Sequence, residues 1–311
     1  MGWRGISTIR ILFLSDKKTK YFRFVFKGFV SPYGLISNAV RYFLSDKSAE
    51  RCPKMKSIDK DEKYSGIGQR FQEETKYVPG RMGGYTLDWP EIAEQYKHYE
   101  QCITRIKLPR PEPTGNPDIW NVLQKRRSRR NYKTDRALTL QQLSSLLWST
   151  QGVTARWGSV LFRTAPSAGG LYPVETYLSV RLVDGLEPGI YHFRPGVFDL
   201  EFIGKGDKSK DLAFAALEQD IVALSQVTFI WSAIIARDKW KYRERTYRYI
   251  YLDAGHICQN LYLAAESLGL GVCAIGAFYD DLVNKIVGVD GTGETVIYMA
   301  TVGLPSETEE F

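Results

Sequence analysis

Near the middle of the chain, residues 165–173 read Ala165-Pro166-Ser167-Ala168-Gly169-Gly170-Leu171-Tyr172-Pro173. Proline, serine and paired glycine favour a turn over a helix or a strand. Glycine has no Cβ, so the backbone N–H groups of such a turn are open to a planar ring or an anion. We call residues 165–173 the glycine loop. By itself, this segment is compatible with a ligand-binding loop and with a plain structural loop.

Regular apolar patterns lie on both sides of the glycine loop. The spacing of apolar residues predicts helices over residues 119–123, 138–150, 208–224 and 251–268, and Thr139 is the expected N-cap of the second. A further helix is predicted over residues 88–102, because Trp89-Pro90 places proline in a first turn. Strands are predicted over residues 176–183, 189–193, 197–203 and 227–236, and residues 272–278 and 295–302 are further apolar segments of strand or loop. Helices and strands interleave without strict alternation, which predicts an α+β fold.

Charge is distributed unevenly along the chain. Residues 1–56 carry 12 Lys and Arg against 3 Asp and Glu; the whole chain carries 42 against 35, which leaves 30 against 32 for the rest. Because the bulk of the protein is nearly neutral, nucleic acid is not an expected partner. A proline-rich link at residues 108–113 marks the start of the main domain. We predict a basic extension (1–56), an irregular leader (57–116), a main domain (117–305) and an acidic tail (306–311).

Several classes of protein lack their sequence signals here. The four cysteines show no CxxC pattern and no histidine at zinc-ligand spacing, so no metal site is predicted and a reducing cytoplasm is expected. No run of about 18 apolar residues predicts a transmembrane segment. The glycines at 269 and 271 follow a predicted helix, whereas a dinucleotide fingerprint follows a strand. Walker A, GxSxG and HExxH patterns are missing from the sequence.

Two charged segments are candidates for chemistry. The first is Arg126-Arg127-Ser128-Arg129-Arg130, which we call the arginine segment. Guanidinium groups with a hydroxyl between them suit a phosphate, although a basic run is also typical of a solvated face. The second is residues 238–248, where Lys241 and Tyr242 would serve as acid and base if their pKa values were lowered. The alternative for this segment is an exposed, charged start of a helix.

Taken in order, these segments resemble the nitroreductase family of FMN flavoproteins. The resemblance is strongest to its SagB-type branch, which includes the thiazoline and oxazoline dehydrogenases of peptide natural-product biosynthesis. It covers residues 57–305. Four segments carry it: Arg126-Arg127-Ser128 with Arg130, residues 166–173, the run from Asp253-Ala254-Gly255-His256 to Gly269-Leu270-Gly271, and Ala274-Ile275-Gly276-Ala277-Phe278.

The resemblance implies an interlocked homodimer in which helices flank a central mixed or antiparallel sheet. It further implies two FMN sites at the subunit interface. Arg126, Arg127, Ser128 and Arg130 would hold the phosphate, the ribityl chain and one edge of the ring. The loop residues Pro166, Ser167, Ala168, Gly169, Gly170 and Leu171 would come from the other subunit. Ile275, Gly276 and Ala277 would lie near flavin N5, and Lys241 and Tyr242 would be the catalytic pair.

One departure from the family pattern concerns the phosphate. Classical nitroreductases end with basic residues after the last strand, whereas here Val302-Gly303-Leu304-Pro305 leads into an acidic tail. Either the arginine segment alone holds the phosphate, or Arg245 or Arg248 supplies the missing charge.

Three functions therefore stay open. The leading hypothesis is an FMN-dependent oxidoreductase with hydride transfer to flavin N5, acting on a small molecule or a modified peptide such as a thiazoline or oxazoline, within a biosynthetic complex. The second is an NAD(P)H-dependent reductase of nitro compounds or quinones on the same flavin. The third is a flavin-free scaffold subunit of such a complex.

Overall fold

The computed structural model describes residues 66–79, 93–111 and 118–306. The predicted basic extension over residues 1–56 and the tail beyond Ser306 lie outside the described residues. The helices are α1 (Ile67–Glu74), α2 (Ile119–Lys125), α3 (Leu140–Gln151), α4 (Ser209–Ala215), α5 (Asp220–Leu224), α6 (Ala236–Tyr242), α7 (Thr246–Ser267) and α8 (Asp280–Val287). The strands are β1 (Thr104–Lys107), β2 (Val153–Trp157), β3 (Val160–Arg163), β4 (Val174–Val180), β5 (Gly189–Arg194), β6 (Asp199–Lys205), β7 (Val227–Ile234), β8 (Gly271–Ile275) and β9 (Glu294–Gly303).

In the described part of the chain, one sheet has the order β1-β6-β5-β4-β7-β9-β8, and every neighbouring pair is antiparallel. Strands β2 and β3 form a separate hairpin next to the glycine loop. The predicted α+β class and the sheet flanked by helices are confirmed, and the sheet is antiparallel rather than mixed. Strand β7, an interior strand between β4 and β9, is the one with the continuous apolar run, as expected for a strand buried on both faces.

Alternating side chains place an apolar layer on each face of the sheet. Phe229 and Trp231 point towards α3 and α7, whereas Ile230 between them points towards α4, α5 and α8. Helix α3 packs Leu143, Leu146 and Leu147 against the first face. Its start is fixed by a capping box: the Thr139 side chain accepts from Gln142 N–H, and the Gln142 side chain accepts from Thr139 N–H.

Two predicted helices differ from the structure. Residues 93–102 of the helix predicted over 88–102 are irregular, and residues 88–92 lie outside the described part. The backbone N–H of Tyr99 donates to Glu201 at 2.9 Å, so contacts with the sheet replace the helical hydrogen bonds. The helix predicted over residues 208–224 is divided into α4 and α5, because Leu217 and Glu218 both have φ of 58°.

No helix within residues 66–79, 93–111 and 118–306 is long and apolar enough to cross a membrane.

Candidate functional site

The glycine loop connects β3 to β4 through a short 3-10 turn over Ala168–Gly170. Gly169 and Gly170 have φ of 62° and 67°, a conformation in which a Cβ is strained. The paired glycine is therefore required by the backbone of this turn. Gly169 is exposed, so the bare main chain faces solvent at this point.

Asp253 of α7 holds the loop in place. Its carboxylate accepts a hydrogen bond from the N–H of Ala168 at 3.2 Å and another from the Ser167 hydroxyl. Ser167 Oγ in turn accepts from the N–H of Tyr172 at 2.9 Å. Burial raises the pKa of Asp253, while these hydrogen bonds act in the opposite direction. The sequence analysis assigned Asp253 no role, because its partners lie about 85 residues away in the chain.

Lys241 and Tyr242 lie at the end of α6, next to the glycine loop. A Cβ on Gly169 would overlap Tyr242 Oη and would lie 2.7 Å from Lys241 Nζ. Lys241 Nζ is 5.3 Å from the centre of the Tyr242 ring, and both side chains are half-buried. The structure thus brings the predicted catalytic pair and the predicted flavin loop into one place, with glycine at the point of closest approach.

A buried carboxyl group lies beneath this pair. Asp238 is fully buried, and neither of its carboxylate oxygens has a hydrogen-bond partner among the described residues. Burial, followed by the charge of Asp253, raises the pKa of Asp238 to about 7, against the opposing effect of Lys241 and Arg237. Burial and then Asp238 raise the pKa of Tyr242 in turn. The Tyr242 phenol therefore stays protonated at neutral pH.

The alternative interpretation of residues 238–248 as an exposed helix start is wrong for the beginning of this segment. Asp238 and the preceding Arg237 are both buried. The guanidinium of Arg237 reaches into the sheet and donates to Glu175 at 2.5 Å. The charged residues in this segment favoured a solvent-exposed helix. Arg237 and Asp238 are buried instead, because α6 follows directly from the buried strand β7.

The arginine segment lies beside β8. The backbone N–H of Arg129 donates to the carbonyl of Val272 at 2.9 Å, and Ser128 forms a parallel bridge with the same residue. Ser128 Oγ is 3.0 Å from Tyr262 Oη, and Tyr262 Oη accepts from the N–H of Ala274 at 2.8 Å. Tyr262 of α7 therefore ties the segment to the strand.

The cations of this segment are available for an anion. Arg129 faces Glu266 at 3.9 Å, but Arg126, Arg127 and Arg130 have no acidic partner within 4 Å among the described residues. The guanidinium of Arg126 lies 5.3 Å from the centre of the Tyr262 ring. Within the described residues, Arg127 donates to the backbone carbonyls of Gln124 and Arg126. The arrangement fits a phosphate, since guanidinium groups without carboxylate partners gain most from an added dianion.

The predicted N5 residues follow at the end of β8. Ile275 is buried as the last residue of the strand, whereas Gly276 and Ala277 are exposed. Ala277 is held by its carbonyl, which accepts from Gln219 Nε2 at 3.1 Å. The arginine segment and residues 275–277 therefore border the same strand.

A single chain does not bring all predicted site residues together. The glycine loop and the catalytic pair meet α7 at Asp253, whereas the arginine segment meets it at Tyr262 and Glu266. Nine residues of helix separate Asp253 from Tyr262, which is about 13 Å along the axis. We call these two groups the loop half and the arginine half of the site.

Arg245 and Arg248, the two candidates for the charge that the C-terminal tail lacks, contact the segment around the end of α1. Arg245 donates to the carbonyl of Thr75 at 2.8 Å, and Arg248 donates to Thr75 Oγ1 at 2.7 Å. Both guanidinium groups are thus engaged by the segment that follows α1.

Residues 123–304 match the family model described as Nitroreductase family, over more than half of the chain. The chain belongs to the nitroreductase family. The predicted family is therefore confirmed, and members of this family are oxidoreductases. The helices and strands that carry both halves of the site, from the arginine segment to β9, all fall within the matched residues of this nitroreductase-family chain.

Relatives of this nitroreductase-family chain include archaeal and bacterial proteins. The chain is 41% identical over 171 residues to a proposed nitroreductase, MJ1384 of Methanocaldococcus jannaschii. The aligned region covers 55% of this chain and 84% of that protein. It is 30% identical over 138 residues to the trifolitoxin-processing protein TfxB of Rhizobium leguminosarum bv. trifolii, covering 43% of this chain and 37% of TfxB. The match to TfxB supports the SagB-like branch.

A solved structure shares the fold. The crystal structure of a proposed nitroreductase from Anabaena variabilis superposes with a TM-score of 0.65 at 30% identity, over 78% of this chain and 47% of that chain. This nitroreductase-family chain thus spans less than half the length of TfxB and of the Anabaena protein.

Proposed function

We propose that this chain is an FMN-dependent dehydrogenase that oxidises a thiazoline or oxazoline ring in a modified peptide. The observation that carries the proposal is the contact of Lys241 and Tyr242 with Gly169 of the glycine loop. It places a proton-transfer pair beside the bare backbone that would face the flavin. The name of TfxB, a toxin-processing protein, supports a peptide substrate.

The residues present fit FMN. Arg126, Arg127, Ser128 and Arg130 would hold its phosphate and ribityl chain, since these cations have no acidic partner in the described part of the chain. The loop from Pro166 to Leu171 would lie along the ring, where Gly169 and Gly170 leave the main chain open. Gly276 and Ala277 would face ring atom N5. Bound flavin would supply the electron chemistry by accepting a hydride at N5, with O2 or another acceptor regenerating it.

The protein would supply the proton chemistry. Ring oxidation releases one hydrogen as hydride and a second as a proton. Because the raised pKa keeps the Tyr242 phenol protonated, Tyr242 would donate a hydrogen bond to the substrate. Lys241, in its neutral amine form, would accept the proton and become an ammonium.

Each site would be completed by two chains. The family resemblance implies that one chain offers the loop half of one site and the arginine half of the other, and the two halves meet α7 about 13 Å apart. Helix α7 presents Tyr251 and Leu252 on its outer surface, with 56% and 59% of each residue exposed. An exposed apolar strip on a long helix supports a homodimer packed along α7.

The test is substrate-driven reduction of the flavin without oxygen, using a synthetic peptide that carries one thiazoline. Lys241→Ala should retain FMN and lose about 100- to 10,000-fold in the rate of flavin bleaching, the usual contribution of a general base. Lys239→Ala is the matched control, because Lys239 is an exposed lysine of the same helix that pairs with Glu244. Undiminished bleaching in Lys241→Ala would remove the proposed role.

A second candidate function is an NAD(P)H-dependent reductase of nitro compounds or quinones. The similarity to the proposed nitroreductase MJ1384, which covers 84% of that protein, favours it. Rapid bleaching by NADPH, with no bleaching by the thiazoline peptide, would select this function. Purified protein that stays colourless and takes up no FMN would instead select the flavin-free scaffold.

A further inference from the structure

A separate cavity lies next to the glycine loop and is lined by other residues. Its volume is about 370 Å³, within the range of about 300–1,000 Å³ typical of small-molecule sites. The walls come from residues 96–98, the β2–β3 hairpin and the turn between β5 and β6. None of the glycine-loop residues 165–173, the arginine segment, Lys241 or Tyr242 lines it.

The wall of this cavity contains a buried cation. Only 7% of Arg163 is exposed, and its Nε has no hydrogen-bond partner among the described residues. One face of the guanidinium stacks on the Tyr172 ring, 4.6 Å from its centre, and Nη1 donates to the neutral amide oxygen of Gln151. Arg163 therefore has only neutral partners within bonding distance in the described part of the chain.

The one carboxylate in the cavity wall is already engaged. Glu175 accepts from Arg237 at 2.5 Å and contacts His192 at 2.8 Å. Two other wall cations are paired in the same way: Lys97 with Glu294 and Arg194 with Asp199. Arg163 thus differs from Lys97 and Arg194, whose charges are paired with carboxylates of the protein. Glu175 attracts Arg163 only from beyond ion-pair distance.

A buried and unpaired charge is costly unless a counter-charge reaches it. Burial lowers the pKa of Arg163 to about 10, so the group stays charged at neutral pH. Near the mouth, Arg156 is a second cation, and its guanidinium contacts only the carbonyl of Gly196 at 3.4 Å. Tyr96, Leu161 and Val197 contribute apolar surface to the same wall.

From this geometry we infer that the cavity binds a small organic carboxylate, with its carboxylate group facing Arg163. A carboxylate matches the edge of a guanidinium, and the apolar wall suits a hydrocarbon or aromatic body. A single buried guanidinium with few other free donors suits this monoanion better than it suits phosphate.

The inference can be tested by calorimetry on the full chain supplied with FMN. The three ligands are benzoate, its neutral isostere benzamide and inorganic phosphate. Benzoate should bind, and benzamide and phosphate should bind far more weakly. Arg163→Gln should weaken benzoate about 10- to 100-fold, the usual effect of losing one hydrogen bond to a charged group. Lys210→Gln, at an exposed lysine on α4, should leave binding unchanged.

Substitutions at the rim keep the test decisive if Arg163→Gln fails to fold. Val197 lines the cavity and is 63% exposed, so its replacement does not disturb the core. Val197→Glu should weaken benzoate and Val197→Lys should strengthen it, each by roughly two- to five-fold, with Val197→Gln between them.

Three outcomes would overturn the inference. The first is benzamide or phosphate binding as tightly as benzoate. The second is no response to the Val197 series or to a folded Arg163→Gln protein. The third is benzoate binding that alters the flavin absorption spectrum and survives Arg163→Gln, because the ligand would then lie over the flavin. Since calorimetry does not require turnover, a protein without FMN would still bind benzoate if only the proposed function were wrong.

Discussion

The two ends of α7 present opposite kinds of charge. At the loop half, Asp238 and Asp253 are buried carboxyl groups packed beneath a tightly held turn. At the arginine half, Arg126 and Arg127 are cations without acidic partners among the described residues. The loop half is thus arranged inside the chain, through hydrogen bonds that fix its shape. The arginine half is left unbalanced, as expected where the balancing charge comes from a ligand.

This difference predicts different responses to substitution. Changes in the loop half should alter folding stability and its dependence on pH. Changes in the arginine half should alter ligand retention and leave the free energy of unfolding nearly unchanged.

The largest expected effect concerns Asp238. Its pKa is about 7 in the folded protein and about 3.8 in the unfolded chain, so the folded state holds the proton more tightly. Stability should therefore fall as pH rises from about 4 to about 7, by up to about 4 kcal/mol. Asp238→Asn should flatten this dependence and raise the free energy of unfolding at pH 8.

Denaturant unfolding at several pH values measures the effect. Asp135→Asn is the control, because Asp135 is exposed. An unchanged slope in Asp238→Asn between pH 4 and pH 7 would contradict the buried, protonated carboxyl group.

Arg126→Ala should come next in size, in the arginine half. Losing a charge-assisted contact to phosphate should weaken FMN about 10- to 100-fold, with a change in unfolding free energy below about 0.5 kcal/mol for the flavin-free protein. Flavin fluorescence on dilution reports the affinity. Arg126→Lys keeps the charge without the forked geometry, so its FMN affinity should lie between those of the wild type and Arg126→Ala. Unaltered FMN affinity in Arg126→Ala would remove the phosphate assignment.

The smallest effect, and the sharpest control, comes from the two glycines of the loop. Gly169→Ala and Gly170→Ala should each destabilise the fold by about 1–2 kcal/mol, because both residues have positive φ. Gly169→Ala should slow turnover more than Gly170→Ala does, since its Cβ would displace Tyr242 and Lys241, whereas a Cβ on Gly170 meets nothing closer than 4.0 Å within the protein. Equal turnover in the two variants would show that the contact of Gly169 with Lys241 and Tyr242 does not affect catalysis.

Much of this fold could be predicted from local pattern. Thr139 and Gln142 mark the start of α3, and the apolar run of β7 marks an interior strand of the sheet. The pattern failed where long-range contacts decide the conformation. Residues 93–102 carry a plausible helical sequence, but the N–H of Tyr99 binds Glu201 of the sheet instead.

The candidate site divides in the same way. Arg126 and Gly169 stand out as residue types in short motifs, so the sequence pointed to them. Asp238 and Arg163 do not, since an acidic residue in a charged helix and a lone arginine are usually exposed. Their importance follows from burial without a charged partner, which depends on the packing of distant segments.

The separation of the two halves along α7 has a consequence for mixed populations of chains. If each site takes one half from each of two chains, Lys241→Ala and Arg126→Ala damage different halves. A dimer that contains one of each variant has one doubly damaged site and one intact site. At an FMN concentration that fills the wild-type site but leaves the Arg126→Ala site empty, each variant alone is nearly inactive. Equal mixing of the two, followed by exchange of chains, should therefore restore about a quarter of the wild-type turnover. Variants that share one half, such as Lys241→Ala and Gly169→Ala, should restore none.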